Sequence, residues 1–257
     1  MTLAEPSFPP LLNGRVVIKG DNPRALAISG AQSGELGAGD TLWLQDTTQI
    51  EIAIVLEPDD PLSKSIQMLP LAIAAAGDTL AVLTPPQVGL QFRWPTTLLL
   101  NGASAGNCTL TVPAACKPDD VPAWMVVNFS LRFMFDETTE PGTTPGITSL
   151  VEEGGEELST TDVLESYSRH FLSQLDTWSN DGFGDVSQQW SGRIEGINET
   201  AEIAHPTGTI TARPLGLDED GNLLARPEAG GNTIALPLID CIERASTAAN
   251  PATSPTS

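Results

Sequence analysis

The sequence predicts an α+β domain followed by a small β-barrel domain of SH3-like size. Two changes of periodicity carry this reading. Between Ile50 and Leu56 the isoleucines and Leu56 recur every second residue, the pattern of a strand with one buried face. From Pro61 onward Leu62, Ile66, Leu69, Ile73, Ala76, Leu80 and Leu83 recur at helical spacing instead. Beyond Trp190 these long elements give way to short β-like pieces separated by Gly-containing turns.

Taken in order, residues 1–13 read as an N-terminal extension and residues 14–188 as the large domain. Asp59 and Asp60 ahead of Pro61 open the first helix, with a kink expected at Pro70. Val88, Leu90, Phe92 and Trp94 alternate, so one strand is expected to run to about Leu100. Its partner returns through Leu110 and Val112 after a hairpin at Asn101-Gly102. Trp124 to Phe133 alternates cleanly, with Val127, Phe129, Leu131 and Phe133 on one face and Val126, Asn128, Ser130 and Arg132 on the other. Asp136 to Gly146 reads as a mobile surface loop. Ser159 and Asp162 cap a second helix whose Val163, Tyr167, Phe171, Leu175 and Trp178 face the sheet. Residues 190–242 are expected to form a five-stranded barrel, from Arg193–Ile197, the Ile203 region, Thr209–Leu215, Leu223–Arg226 and Thr233–Leu236. Residues 245–257, which lack large apolar side chains, are expected to be disordered.

With 257 residues and 40% apolar content, the chain closes a core without disulfide or metal staples. Thirty-three acidic residues against 12 basic ones leave a net charge of −21. That charge repels phosphate backbones and anionic lipid headgroups, so neither nucleic acid nor a membrane is an expected partner. Cys108, Cys116 and Cys241 form no CxxC pair, and His170 and His205 stand far apart, so no metal site is expected. No secretory leader is legible at the N-terminus, and a cytoplasmic location with reduced thiols is the expectation. Asp218, Asp220 and Asn222 have the start of a calcium loop, but Gly221 and Ala229 fall at the wrong places, and a turn is expected instead.

Arg93-Trp94-Pro95 leading into the Asn101-Gly102 hairpin, the Ile147–Leu150 segment ahead of the capped helix, and Leu215–Leu224 in the terminal domain together resemble the biotin/lipoate protein ligase family. The resemblance spans roughly residues 14–242. It implies a mixed sheet packed with helices and a ligand pocket above that sheet. It also implies a chemistry: a carboxylate cofactor is joined to ATP as an acyl-adenylate, then passed to a lysine of a carrier domain. The implied cofactors are ATP with magnesium and biotin or lipoate; the residues themselves require none. The implied partners are a small carboxylate ligand or a carrier-protein domain.

Adenylation builds negative charge on a phosphate, so its site must supply fixed cations and donors. The family's arginine-rich GRGRRG loop matches Gly39–Thr48, which contains no arginine. Its WPND motif becomes Trp94-Pro95-Thr96-Thr97, and the lysine seven residues on becomes Ser104. The GxGxN pattern becomes Asn128, Ser130 and Arg132, three side chains on one strand face. The residues that would meet a ligand are therefore Arg93, Trp94, Thr96, Thr97, Ser104, Asn128, Ser130 and Arg132, with none assigned a catalytic role. Among them Arg132 is the best cation, against an ordinary surface arginine, and Trp94, which could stack on a ligand ring, reads by default as a core aromatic. The expected function is a ligase-like protein without ligase chemistry, a pseudoenzyme acting as a binding or accessory module. The alternative is an active ATP-dependent ligase with a rearranged site using Arg93 or Arg132. A third reading is a purely partner-binding protein.

Overall fold

The computed structural model describes residues 4–136, 146–197 and 199–245. Its first element, β1 (Asn13–Ile18), leads into α1 (Pro23–Ser33), β2 (Asp40–Gln45) and β3 (Gln49–Leu56). A four-residue helix α2 (Leu62–Ser65) precedes the long α3 (Met68–Leu83). Then come β4 (Leu90–Arg93), β5 (Thr97–Leu100), β6 (Ala103–Val112) and β7 (Met125–Arg132). Two helices follow, α4 (Thr160–Asp181) and α5 (Gly184–Gly192). The remaining strands are β8 (Ala201–His205), β9 (Gly208–Leu217), β10 (Leu223–Pro227), β11 (Ile234–Leu236) and β12 (Glu243–Arg244).

The large sheet is mixed, in the order β1-β2-β3-β7-β6-β5-β4, with β12 beside β6. The β1/β2 and β6/β12 pairs are parallel and the others antiparallel. One face carries Ile50, Ile52, Ile54, Cys108, Leu110, Val127, Phe129 and Leu131, all at most 1% exposed, and packs beneath α3 and α4. Every residue of α3 from Met68 to Gly77 is buried, so this helix is apolar all round, as a helix enclosed on every side must be. By length and composition the Leu62–Leu83 stretch would also suffice to cross a membrane, but its most apolar window is 78% buried in the protein. The opposite sheet face packs Val17, Leu42, Leu44, Ala53, Val55 and Val126 against Ala27 and Ala31 of α1.

The β3 and β7 strands lie where the alternation places them. Asn101 and Gly102 have φ of 48° and 81°, the paired positive values of the hairpin turn that this dipeptide favours. Ser159 and Asp162 exchange both capping-box bonds at the start of α4.

Four expectations are corrected. The strand expected through Leu100 is two strands, β4 and β5, which pair antiparallel across the turn at Trp94-Pro95-Thr96, where the Trp94–Pro95 peptide is cis. The helix is interrupted at Ile66–Gln67, ahead of Pro70, which falls in the first turn of α3, where a missing N–H costs no intrahelical bond. Arg193–Ile197 is no strand of the terminal domain. Its Ile194 makes a bridge to Phe92 of β4, and the small antiparallel sheet has four strands in the order β11-β10-β9-β8. Ala245, expected in a disordered tail, is 6% exposed and its N–H donates to the Val112 carbonyl at 2.9 Å. The rest of that tail, and residues 137–145 of the loop expected to be mobile, lie outside the described residues.

The sequence reading also assigned no element to residues 13–48. Asn22 Oδ1 accepts from the Ala25 N–H at 2.7 Å, Pro23 opens α1, and Gly34 closes it at φ 76°. Those three residues were the available signature.

The capping box predicts that Ser159→Ala lowers stability by about 1 kcal/mol. Urea unfolding should show a lower midpoint with an unchanged slope.

Candidate functional site

Because α1 is short, it covers only part of its sheet face, and beyond it the strands turn polar. Register sets the rows: Arg132 stands opposite Gln49, Ser130 opposite Glu51 on one side and Asn107 on the other, and Asn107 opposite Thr97. A cavity of about 350 Å³ opens here, lined by Gln49, Thr96, Thr97, Ser104, Ala105, Gly106, Asn107, Ser130 and Arg132. Five residues singled out in the sequence thus converge: Thr96, Thr97, Ser104, Ser130 and Arg132. Its floor depends on Gly106, where a Cβ would come within 2.4 Å of the Ser130 carbonyl oxygen.

The Gly146–Val151 segment walls one side. The Ser104 N–H donates to the Gly146 carbonyl at 2.8 Å, the Thr148 N–H to the Ser104 carbonyl at 3.0 Å, and the Leu150 N–H to the Arg132 carbonyl at 2.9 Å. Arg132 Nη1 donates to the Thr148 carbonyl at 3.2 Å, and the guanidinium lies 5.4 Å from the Phe135 ring. Among the described residues no carboxylate comes within ion-pair distance of Arg132.

Asn128 shares this face, one step closer to α1. It is 4% exposed, and its Oδ1 lacks a hydrogen-bond partner among the described residues, as does Oγ1 of Thr109 opposite it. The structure does not bring Arg93 and Trp94 into the cavity. Arg93 is held in two parallel bonds by Glu195, at 2.5 and 2.7 Å. Trp94 is 5% exposed and stacks on His205, 5.8 Å between centroids, against the terminal sheet.

The Gly39–Thr48 stretch, matched in sequence to a ligand-covering loop, consists mostly of β2, and only Asp46, Thr47 and Thr48 separate it from β3. Asp46 closes that turn by accepting from the Thr48 N–H and Oγ1, at 2.7 and 2.8 Å, and pairs with Lys19 at 3.0 Å. Burial alone would raise its pKa, but these bonds outweigh burial and the net shift is downward. Sequence reasoning missed three neighbours of the site, Gln49, Asn107 and Glu51, whose one-dimensional signal was the parity of β3 and β6. Glu51 is half-buried, and its carboxyl is shifted upward by burial, opposed by the charge of Arg24.

Elsewhere, the Asp218 carboxylate closes its own turn, accepting from the N–H groups of Asp220 and Asn222 and from Asn222 Nδ2. Among the described residues no group of three or more His, Cys, Asp or Glu is placed to hold a metal. His170 Nδ1 lies within 3.2 Å of Thr79 Oγ1 and 3.0 Å of the Ser166 carbonyl, away from the cavity.

A mixed sheet with one face buried under helices, a polar cavity on the other face and a small antiparallel sheet after it defines a ligase-type fold. The model of the biotin/lipoate A/B protein ligase family matches residues 8–192, and the chain belongs to that family. A biotin protein ligase-like protein of unknown function from Silicibacter sp. TM1040 is 30% identical, with a TM-score of 0.82 over 93% of this chain and 100% of that one. The biotin protein ligase of Aquifex aeolicus, at 14% identity, shares the fold with a TM-score of 0.70 over 88% of this chain and 96% of its own. Among curated relatives, the biotin–[acetyl-CoA-carboxylase] ligase of Paracoccus denitrificans is 26% identical over 75% of this chain and 80% of its own. The bifunctional ligase/repressor BirA of Bacillus subtilis is 22% identical over 80% of this chain. The match spans 62% of the length of that BirA.

The perturbed acids set opposite pH responses. Asp46, with its folded pKa depressed, stabilises the fold above the ordinary aspartate range, and that contribution is lost as pH falls through its folded pKa. Glu51, with its folded pKa raised, costs stability at neutral pH, and the cost disappears as pH falls below the ordinary glutamate range. Asp46→Asn should therefore lower the Tm at pH 7 and Glu51→Gln raise it, with both differences shrinking toward pH 3.

Proposed function

We propose that this family member binds a small carboxylate in the Arg132 cavity without converting it to an adenylate. The observation that carries the reading is the charge inventory of that cavity: Arg132 is the one cation among its lining residues. The positions that match the family's aspartate and lysine hold Thr97 and Ser104, and the β2–β3 turn is too short to cover a nucleotide. These residues do not fit ATP and magnesium, since they offer a triphosphate no second positive charge. One charge-stabilising donor is typically worth about 10²- to 10³-fold in rate, so the combined losses leave no adenylating machinery. The reading of an active, rearranged ligase called on Arg93 or Arg132, and the first of these is committed to Glu195. Docking of a carrier-protein domain, a cytoplasmic location and a boundary near residue 190 complete the proposal.

Pyrophosphate exchange with ATP and biotin, lipoate or octanoate tests the chemistry: no exchange is expected from the wild-type protein or from Ser104→Lys. Robust exchange would refute the proposal. Calorimetric titration with short carboxylates tests the site. Arg132→Ala should weaken binding by more than about 1.5 kcal/mol, the low end for a hydrogen bond to a charged group. Equal affinities would make Arg132 a surface charge only.

A further inference from the structure

We infer that the ligand of this cavity carries an ammonium as well as a carboxylate, and that the site selects a short-chain amino acid over an acyl chain or a fused ring. The inference rests on the carboxylate reading above and adds a second recognition point, Glu51.

Glu51 is half-buried on β3, yet among the described residues it makes no hydrogen bond and no ion pair. The positive charge that acts on it, Arg24, is paired with Glu243. Two carboxylates therefore share one guanidinium at the edge of α1, and Glu51 stands opposite Ser130 of the cavity lining. Arg132 carries the complementary charge. The two side chains are diagonal neighbours on adjacent antiparallel strands, because Arg132 faces Gln49 and Glu51 faces Ser130. Diagonal positions lie about 7–8 Å apart between Cα atoms, within reach for long side chains. They nevertheless do not pair, since Arg132 is turned to the Thr148 carbonyl and Phe135.

A zwitterion fits between them. Its carboxylate takes the free guanidinium edge of Arg132, and its ammonium takes Glu51. Gln49, Ser130, Asn107 and Thr97 line the space with polar groups that suit such a ligand. An octanoyl chain or a biotin ring would desolvate these groups without pairing them.

Calorimetric titration of the full chain with matched pairs tests this: alanine against propanoate, and 4-aminobutanoate against butanoate, with octanoate and biotin alongside. At least one amino acid should bind about tenfold or more tightly than its deaminated counterpart, as one charge-assisted bond supplies. Glu51→Gln should abolish that advantage within each pair, and a thermal melt shows that this variant is folded. Arg132→Ala should weaken both members of each pair. Equal affinity within the pairs, an advantage that survives Glu51→Gln, or tighter binding of octanoate or biotin would overturn the inference while leaving the carboxylate site standing. Failure of every acid to bind the wild-type protein would overturn both.

Discussion

The burial of α3 against β6 and β7, beside α4, is the constraint from which the rest of the molecule follows. A helix buried from Met68 to Gly77 requires large apolar partners, and one parity of each central strand supplies them. The other parity is thereby free of the main core. It is covered by α1, an eleven-residue helix that meets the sheet through Ala27 and Ala31 and needs only small-residue contact. The uncovered remainder of that face must be polar to be wetted, and it is where the cavity lies. The position of the site is thus a consequence of how unequally the two faces are covered.

This division also separates the residues that hold the ligase-type fold from those that face the cavity. Ile52, Phe129 and Leu110 on the α3 face hold the sheet together, and their opposite-parity neighbours Glu51, Ser130 and Thr109 contribute little to that core. Positions on the cavity face can change chemistry at small cost to folding, so fold and function separate along strand parity. The β2–β3 connection shows the same economy of structure: Asp46 spends its oxygens on Thr48 and Lys19, which makes the turn a closed structural unit.

The same parity made much of the fold legible in advance. Alternation in β3 and β7, the Asn101-Gly102 turn and the Ser159–Asp162 cap are each written in neighbouring residues. β1 was hidden because only Val17 of its six residues is buried, so it carries no alternation. α1 was hidden because its contact face is alanine and glycine, which gives little amphipathic contrast. Within the site, the cluster around Arg132 was legible because its members lie on one strand and one hairpin. The commitments of Arg93 and Trp94 were not, because their partners Glu195 and His205 lie about a hundred residues away in sequence. Glu51 was visible only as the odd residue of a strand until the register put it beside Ser130.

Arg132 and Glu51 form the point where local and global preferences disagree. Opposite charges on neighbouring strands ordinarily contribute roughly 0.2–1 kcal/mol when they meet, and a half-buried carboxylate gains further from losing its isolation. The protein forgoes both, although its twelve basic residues are outnumbered by thirty-three acids and any free guanidinium has ample choice of partners. What holds the two apart is the Gly146–Val151 wall: its hydrogen bonds to Ser104 and to the Arg132 backbone place the Thr148 carbonyl where it captures one guanidinium nitrogen. The wall is in turn braced from outside, where Glu153 links Thr148 Oγ1 to the Nδ2 of Asn101 in the hairpin turn. Contacts from two other segments of the chain thus keep Arg132 turned away from Glu51, on the part of that sheet face which α1 leaves uncovered.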